Sequence, residues 1–175
     1  SPRDKGAVKA YDVAKGEEVE RACDPSEPLT ALAFKITSDA HQELVWLRVY
    51  SGRLRTSTRV LNARLRKKEN VTAIFQVQAA RRERVEAALP GDIVAVAGPK
   101  VTRTGDTLCD TRHEILLESV TFPSTVISMA MEPRSTGDRD RLVDVLDRLS
   151  REDPTFEWRS DEETGQLIVS GMGEL

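Results

Sequence analysis

The chain has 175 residues, of which 39% are hydrophobic and 31% charged, with a formal net charge of -3. That apolar share is enough for a core in one or two domains and excludes a chain disordered throughout. No apolar run approaches the roughly 20 residues of a membrane span, so a soluble protein is expected.

The opening Ser1-Pro-Arg-Asp-Lys-Gly has no initiator Met, basic n-region or apolar h-region. It is expected to be the start of an excised piece rather than a secretory signal. Residues 1–28 mix charges with Gly6, Gly16, Pro25 and Pro28 and show no sustained period. They read as a linker or wrapping arm with at most one short strand.

Residues 31–37 place Leu32, Phe34 and Ile36 on one side of a period-2 pattern, which predicts a first strand. In residues 44–50, Val45, Leu47 and Val49 face one way and Trp46, Arg48 and Tyr50 the other, with Ser51-Gly52 as the turn. Residues 60–65 and 71–77 give two more strands, separated by the loop Arg66-Lys67-Lys68-Glu69-Asn70. Residues 79–89 fit a short helix as well as a loop. Ile93-Val-Ala-Val-Ala97, bounded by Pro90-Gly91-Asp92 and Gly98-Pro99, is how a buried strand between two turns reads. Gly105-Asp106 opens another short run at Thr107 and Leu108, and residues 115–120 close the series. Several short strands spaced by turns predict an all-β barrel, closed or nearly so, over residues 29–121.

Phe122-Pro123 marks a boundary, because proline cannot continue a ladder and the pattern then changes. Residues 126–131 alternate, with Ile127, Met129 and Met131 on one face. Ser135-Thr-Gly-Asp138 has the form of a capping box with Asp in place of Glu or Gln. Leu142, Val145, Leu146 and Leu149 make an apolar stripe on a helix over 138–152 that Pro154 ends. Phe156 and Trp158 alternate on a strand, residues 161–165 turn, and 167–170 complete a hairpin. The order β-α-β-β over residues 122–175 is the front of the split β-α-β-β-α-β fold, an incomplete α+β ferredoxin-like domain. The part of the sheet that a second helix would cover is expected to stand open.

Residues 44–88 hold eleven Lys/Arg against three Glu, whereas residues 89–175 hold nine against seventeen acids. This asymmetry points to one face that meets a polyanion. The cations in question are Arg53, Arg55 and Arg59 around the turn after Gly52, and Arg64, Arg66, Lys67 and Lys68 at a strand end and its loop. Guanidinium forks and ammonium groups placed there can hold phosphates without reading bases. The alternative is a solvated face, which charge runs usually are. Arg81, Arg82 and Arg84 form a second patch, for which pairing with Glu83 and Glu86 within a helix is the blander explanation. Trp46, Tyr50, Phe156 and Trp158 can stack bases; core packing suits Phe156 and Trp158 better, since they lie in the acidic part.

No G-x-x-x-x-G-K-[ST] loop occurs, and Gly98-Pro99-Lys100 cannot present several converging amides, so this chain is not expected to hydrolyse GTP. Asp161, Glu162 and Glu163 sit in an exposed turn, where carboxylates solubilise rather than catalyse. His41 and His113 read as surface histidines, and Cys23 and Cys109 form no metal spacing with them. Two reduced, structural thiols in a cytosolic protein are the expectation. No catalytic, cofactor-binding or metal residue is therefore assigned.

Eight segments occur in order: Ala31-Leu-Ala-Phe-Lys35, Arg48-Val-Tyr-Ser-Gly52, Val60-Leu-Asn62, Gly91-Asp-Ile93, Thr104-Gly-Asp-Thr-Leu108, Glu132-Pro133, Glu152-Asp-Pro-Thr-Phe156 and Gly171-Met-Gly-Glu-Leu175. Together they resemble elongation factor G, the bacterial translocation GTPase, in its second domain and the start of its third. Departures occur at Thr56-Ser57-Thr58, at Val77-Gln-Ala-Ala80, at Thr125 and before Leu44. The resemblance implies a cytoplasmic, non-catalytic middle piece of a factor that supports GTP-dependent translocation of tRNA and mRNA. Its barrel would dock on small-subunit ribosomal RNA, and GTP and Mg would belong to a GTPase domain outside this chain. That GTPase domain and C-terminal domains are the other implied partners; membrane and DNA are not. Rotation about Phe122-Pro123 is the hinge such a relay would use. A paralogue acting in ribosome recycling or protection remains an alternative, as does a barrel that binds only protein.

Overall fold

The structure is a computed structural model that describes residues 6–38, 42–78, 81–117 and 125–173. His41, Ala79, Ala80, residues 118–120, the Phe122-Pro123 boundary and the last two residues lie outside the described residues. The chain divides into two compact units, residues 1–120 and 121–175.

Among the described residues the first unit holds thirteen strands: β1 (Ala7–Asp12), β2 (Glu17–Ala22), β3 (Thr30–Ser38), β4 (Glu43–Ser51), β5 (Leu54–Arg55), β6 (Thr58–Asn62), β7 (Lys67–Val71), β8 (Ala73–Gln78), β9 (Arg81–Val85), β10 (Ala87–Ala88), β11 (Ile93–Ala97), β12 (Thr107–Cys109) and β13 (Ile115–Leu117). Eight of them form one antiparallel sheet in the order β7-β6-β12-β3-β4-β11-β8-β9. Connectivity forces this sheet to curl. Only Thr72 separates β7, at one edge, from β8, six places away in that order. In a flat sheet six strand spacings are about 29 Å, whereas the two backbone steps from Val71 to Ala73 reach about 7 Å. The sheet must therefore wrap into a barrel.

Gly98 makes that closure possible. Thr72 N–H donates to the Ala97 carbonyl at 2.9 Å, and Gly98 follows at φ +119, so near that a Cβ would stand 2.1 Å from the Asn70 carbonyl oxygen. Gly52 plays the same part at the barrel entrance: φ is +72 and a Cβ would meet Leu29 backbone atoms at 2.5 Å.

The interior is filled by the alternate residues of β4, Val45, Leu47 and Val49, as the alternation predicts, with Leu54, Val60, Val71, Ile74, Val94, Val96 and Leu108. The phase of β3 differs from expectation. Its buried apolar residues are Ala31, Ala33 and Ile36, while Leu32 is half-buried and Phe34 is 39% exposed. A bulge explains this: Ala33 pairs with Leu47 but Lys35 pairs with Trp46, which leaves Phe34 as the extra residue and reverses the alternation on either side.

Three further expectations are corrected. Residues 7–22 form two strands, not one, in a three-stranded sheet β13-β1-β2. Val8, Ala10 and Val19 pack there on Ile115 and Leu117, too few apolar residues to print a period on so charged a stretch. Residues 67–70, read as loop, lie on β7, which pairs with β6 from Thr58↔Val71 to Asn62↔Lys67. Residues 81–85, read as helix or loop, are strand β9 along β8, with Val85 turned onto the core. The Arg/Glu mixture there is thus laid out across two sheet faces rather than along a helix.

The second unit is β14 (Ile127–Met131), α1 (Thr136–Glu152), β15 (Glu157–Ser160) and β16 (Leu167–Gly171). Its sheet order β14-β16-β15 is antiparallel throughout, so β14 and β15 run parallel and α1 is the crossover between them. Ser135 caps the helix: its Oγ accepts from Asp138 N–H at 3.2 Å and donates to Asp138 Oδ2 at 2.7 Å. From the expected stripe Leu146 is buried and Leu142 half-buried, and they pack with Val143, Phe156 and Trp158 on Leu167 and Val169. Val145 and Leu149 are each 40% exposed, and on β14 Met129 is 62% exposed. Every residue of β14 is exposed among the described residues.

Candidate nucleic-acid interface

The β6–β7 hairpin presents Arg59, Lys67 and Lys68 on its strands and Arg64 and Arg66 in its turn, Arg53 and Arg55 precede it after Gly52 and on β5, and a buried polar network fixes the hairpin. Glu69 is 8% exposed; its Oε1 accepts from the backbone N–H groups of Lys100 (2.5 Å) and Val101 (2.8 Å). The Thr102 hydroxyl donates to Glu69 Oε2. Asn62 Nδ2 donates to Thr102 Oγ1 at 3.4 Å and to Asp106 Oδ2 at 2.8 Å, and Arg103 N–H donates to Asp106 Oδ2 at 2.9 Å. A buried carboxylate is tolerable only when its oxygens are satisfied in this way. The network ties the segment 98–106 to the hairpin and so holds the hairpin's outer face still.

Arg64 completes the network. Its Nε and Nη2 reach Asp106 Oδ1 and Oδ2 at 2.5 and 3.0 Å, a bidentate fork. Those hydrogen bonds raise the Arg64 pKa above its ordinary value. Arg66, in the turn at φ 53, donates from Nε to Glu114 Oε1 at 2.9 Å. Both guanidinium groups thus have a carboxylate partner. Arg53, Arg55, Arg59, Lys67 and Lys68 are exposed, and among the described residues no carboxylate pairs with them. Arg59 and Lys68 share one face of the ribbon and Lys67 takes the other. The network residues Asn62, Glu69, Thr102 and Asp106 are not legible as a group in the sequence; only the Val60-Leu-Asn62 segment and the Gly105-Asp106 turn single out two of them.

Arg81, Arg82 and Arg84 lie exposed on the edge strand β9. Trp46 is half-buried on the outer face, its Nε1 donating to Thr37 Oγ1 at 3.0 Å, and Tyr50 packs under the β1–β2 hairpin. Phe156 and Trp158 belong to the core of the second unit, as expected, with Trp158 Nε1 on Asp147 Oδ1 at 3.0 Å. His113 is exposed beside Asp110. Asp161 lies below the ordinary carboxylate range because the Thr164 and Glu163 backbone amides donate to it, which makes it a turn former. Burial pushes the Cys109 thiol up to about 11 from an ordinary 9.0. Among the described residues no group of three or more His, Cys, Asp and Glu could hold a metal ion, and no helix is long and apolar enough to cross a membrane.

Two family models match. "Elongation factor G domain 2" covers residues 28–111 and "Elongation Factor G, domain III" residues 122–175. Elongation factor G 2 of Syntrophomonas wolfei is 46% identical across all of this chain, and elongation factor G of Thermotoga maritima 48%. The chain spans 25% of the length of each. With both domains matched in order and that identity sustained throughout, the chain belongs to the elongation factor G family, of which it carries domains II and III.

Proposed function

We propose that this chain is the non-catalytic middle of a cytoplasmic translation factor, whose barrel docks on small-subunit ribosomal RNA and whose third domain supports GTP-dependent movement of tRNA and mRNA. GTP and Mg are handled by a GTPase domain of the parent protein. The observation that carries this reading is the set Arg53, Arg55, Arg59, Lys67 and Lys68. Arg59, Lys67 and Lys68 stand exposed on the β6–β7 hairpin that an internal network ties down, Arg53 and Arg55 stand exposed just before it in the chain, and among the described residues no carboxylate pairs with any of the five. Unpaired cations on a fixed frame meet phosphates by shape and charge, without reading bases. Arg64 and Arg66, in contrast, serve the frame.

Sedimentation with 30S subunits across a salt series tests it. Five phosphate contacts would make log K fall with log salt at a slope of about -4. Reversing Arg59, Lys67 and Lys68 to Glu abolishes binding on this reading. Salt-insensitive binding that survives the reversal, in a variant still folded by circular dichroism, would replace it with a protein-docking barrel.

A further inference from the structure

Strands β3, β4, β11, β8 and β9 share an outward face that the hairpin set above does not include. The β1–β2 sheet covers one part of it, where Leu32 and Tyr50 pack against Ala10, Ile115 and Leu117. Beyond that cover the pairings Lys35↔Trp46, Trp46↔Ala95, Ala95↔Phe75 and Phe75↔Arg84 run as one row across the sheet. The next row holds Arg48↔Ile93 and, on the far ribbon, Val77↔Arg82.

Trp46 and Phe75 are half-buried, and Ile93 is 48% exposed. Ala95 stands between Trp46 and Phe75 in this row and has no exposed surface. Trp46 is held by its bond to Thr37, and Lys35 Nζ stands 6.0 Å from its ring centre. Among the described residues of these strands the outward positions carry Lys35, Arg48, Arg82 and Arg84 and no carboxylate. Glu83 lies on the other side, opposite Gln76, and Glu43 shares the inward side with Val45.

We propose that this face is a stacking platform for a single-stranded RNA segment, with unstacked bases on Trp46 and Phe75 and phosphates on Lys35 and Arg84. It rests on the RNA-docking reading of the barrel and names a second contact. The charge pattern selects a polyanion. The rings, about two strand spacings or roughly 10 Å apart, select one with flat apolar faces. An acidic peptide would satisfy the cations and leave half-exposed rings against water.

Trp46 and Trp158 are the only tryptophans, so a Trp158→Phe background makes Trp46 fluorescence report this face alone. A short oligouridylate at low salt quenches it on this proposal. Phe75→Leu weakens the oligouridylate about 5- to 100-fold, the range of one lost base stack. Arg84→Ala lowers the salt slope by about 1. The triple reversal of Arg59, Lys67 and Lys68 leaves the quench in place while removing 30S binding, so the two readings fail separately. Absence of quenching, equal quenching by polyaspartate, or indifference to both Phe75→Leu and Arg84→Ala would overturn the platform.

Discussion

Replacing Gly98 with alanine puts a methyl group where the barrel seam has no room for one. The new Cβ would sit 2.1 Å from the Asn70 carbonyl oxygen and 2.9 Å from the Thr72 nitrogen, both backbone atoms that no rotamer change can move. Backbone at φ +119 adds strain of about 1–3 kcal/mol for a residue with a side chain. Pushing Asn70 away also breaks the Thr72-to-Ala97 hydrogen bond, worth about 1 kcal/mol. The expected loss is about 3–4 kcal/mol, or a melting temperature lower by roughly 10–20 °C for a unit of this size. Gly16→Ala is the control: φ is +71, but the nearest atom is the Tyr11 hydroxyl at an ordinary 3.7 Å, so only about 1 kcal/mol of left-handed strain applies. Urea unfolding followed by Trp46 fluorescence in the Trp158→Phe background measures both. A Gly98→Ala variant within 1 kcal/mol of Gly16→Ala would refute the closure argument.

Asp106→Asn removes the charge that receives the Arg64 fork inside a buried network; a loss of about 2–4 kcal/mol is expected by thermal unfolding. Much of that loss should vanish in an Arg64→Met background, and additivity of the two changes would refute the coupling. The Cys109 thiol holds its proton more tightly folded than unfolded, so its contribution is complete below pH 9 and is lost as pH rises through about 11. Stability of the native chain should therefore fall between those values by about 2–3 kcal/mol more than that of Cys109→Ala, and parallel pH curves would contradict this. Ser135→Ala removes the acceptor for Asp138 N–H and should cost the second unit about 1 kcal/mol. No change in its urea midpoint would mean that water caps α1 equally well.

Local chemistry was legible wherever one residue's neighbours in sequence are also its neighbours in space. The alternation of β4, the Ser135 cap and the β-α-β-β order of the second unit all follow from residues within a turn or a strand of each other, and the family follows from segments kept in order. The sequence also marked every cation of the candidate interface. What it could not separate is which of them remain available. Arg64 finds Asp106 across 42 positions and Arg66 finds Glu114 across 48, partners that only barrel closure brings together.

The same holds for the strands that were misread. One bulged residue, Phe34, inverts a face without altering composition, and β7 reads as a polar loop because one of its inward residues is Glu69, whose carboxylate is satisfied by amides about thirty positions away. Strand β9 looks helical until β8 supplies its hydrogen bonds and the core receives Val85. Sequence by itself determined the family, the element types with local periodicity and the local excess of positive charge over residues 44–88. Tertiary structure decided phase, pairing and availability, because each depends on contacts whose cost in chain entropy only the closed barrel offsets.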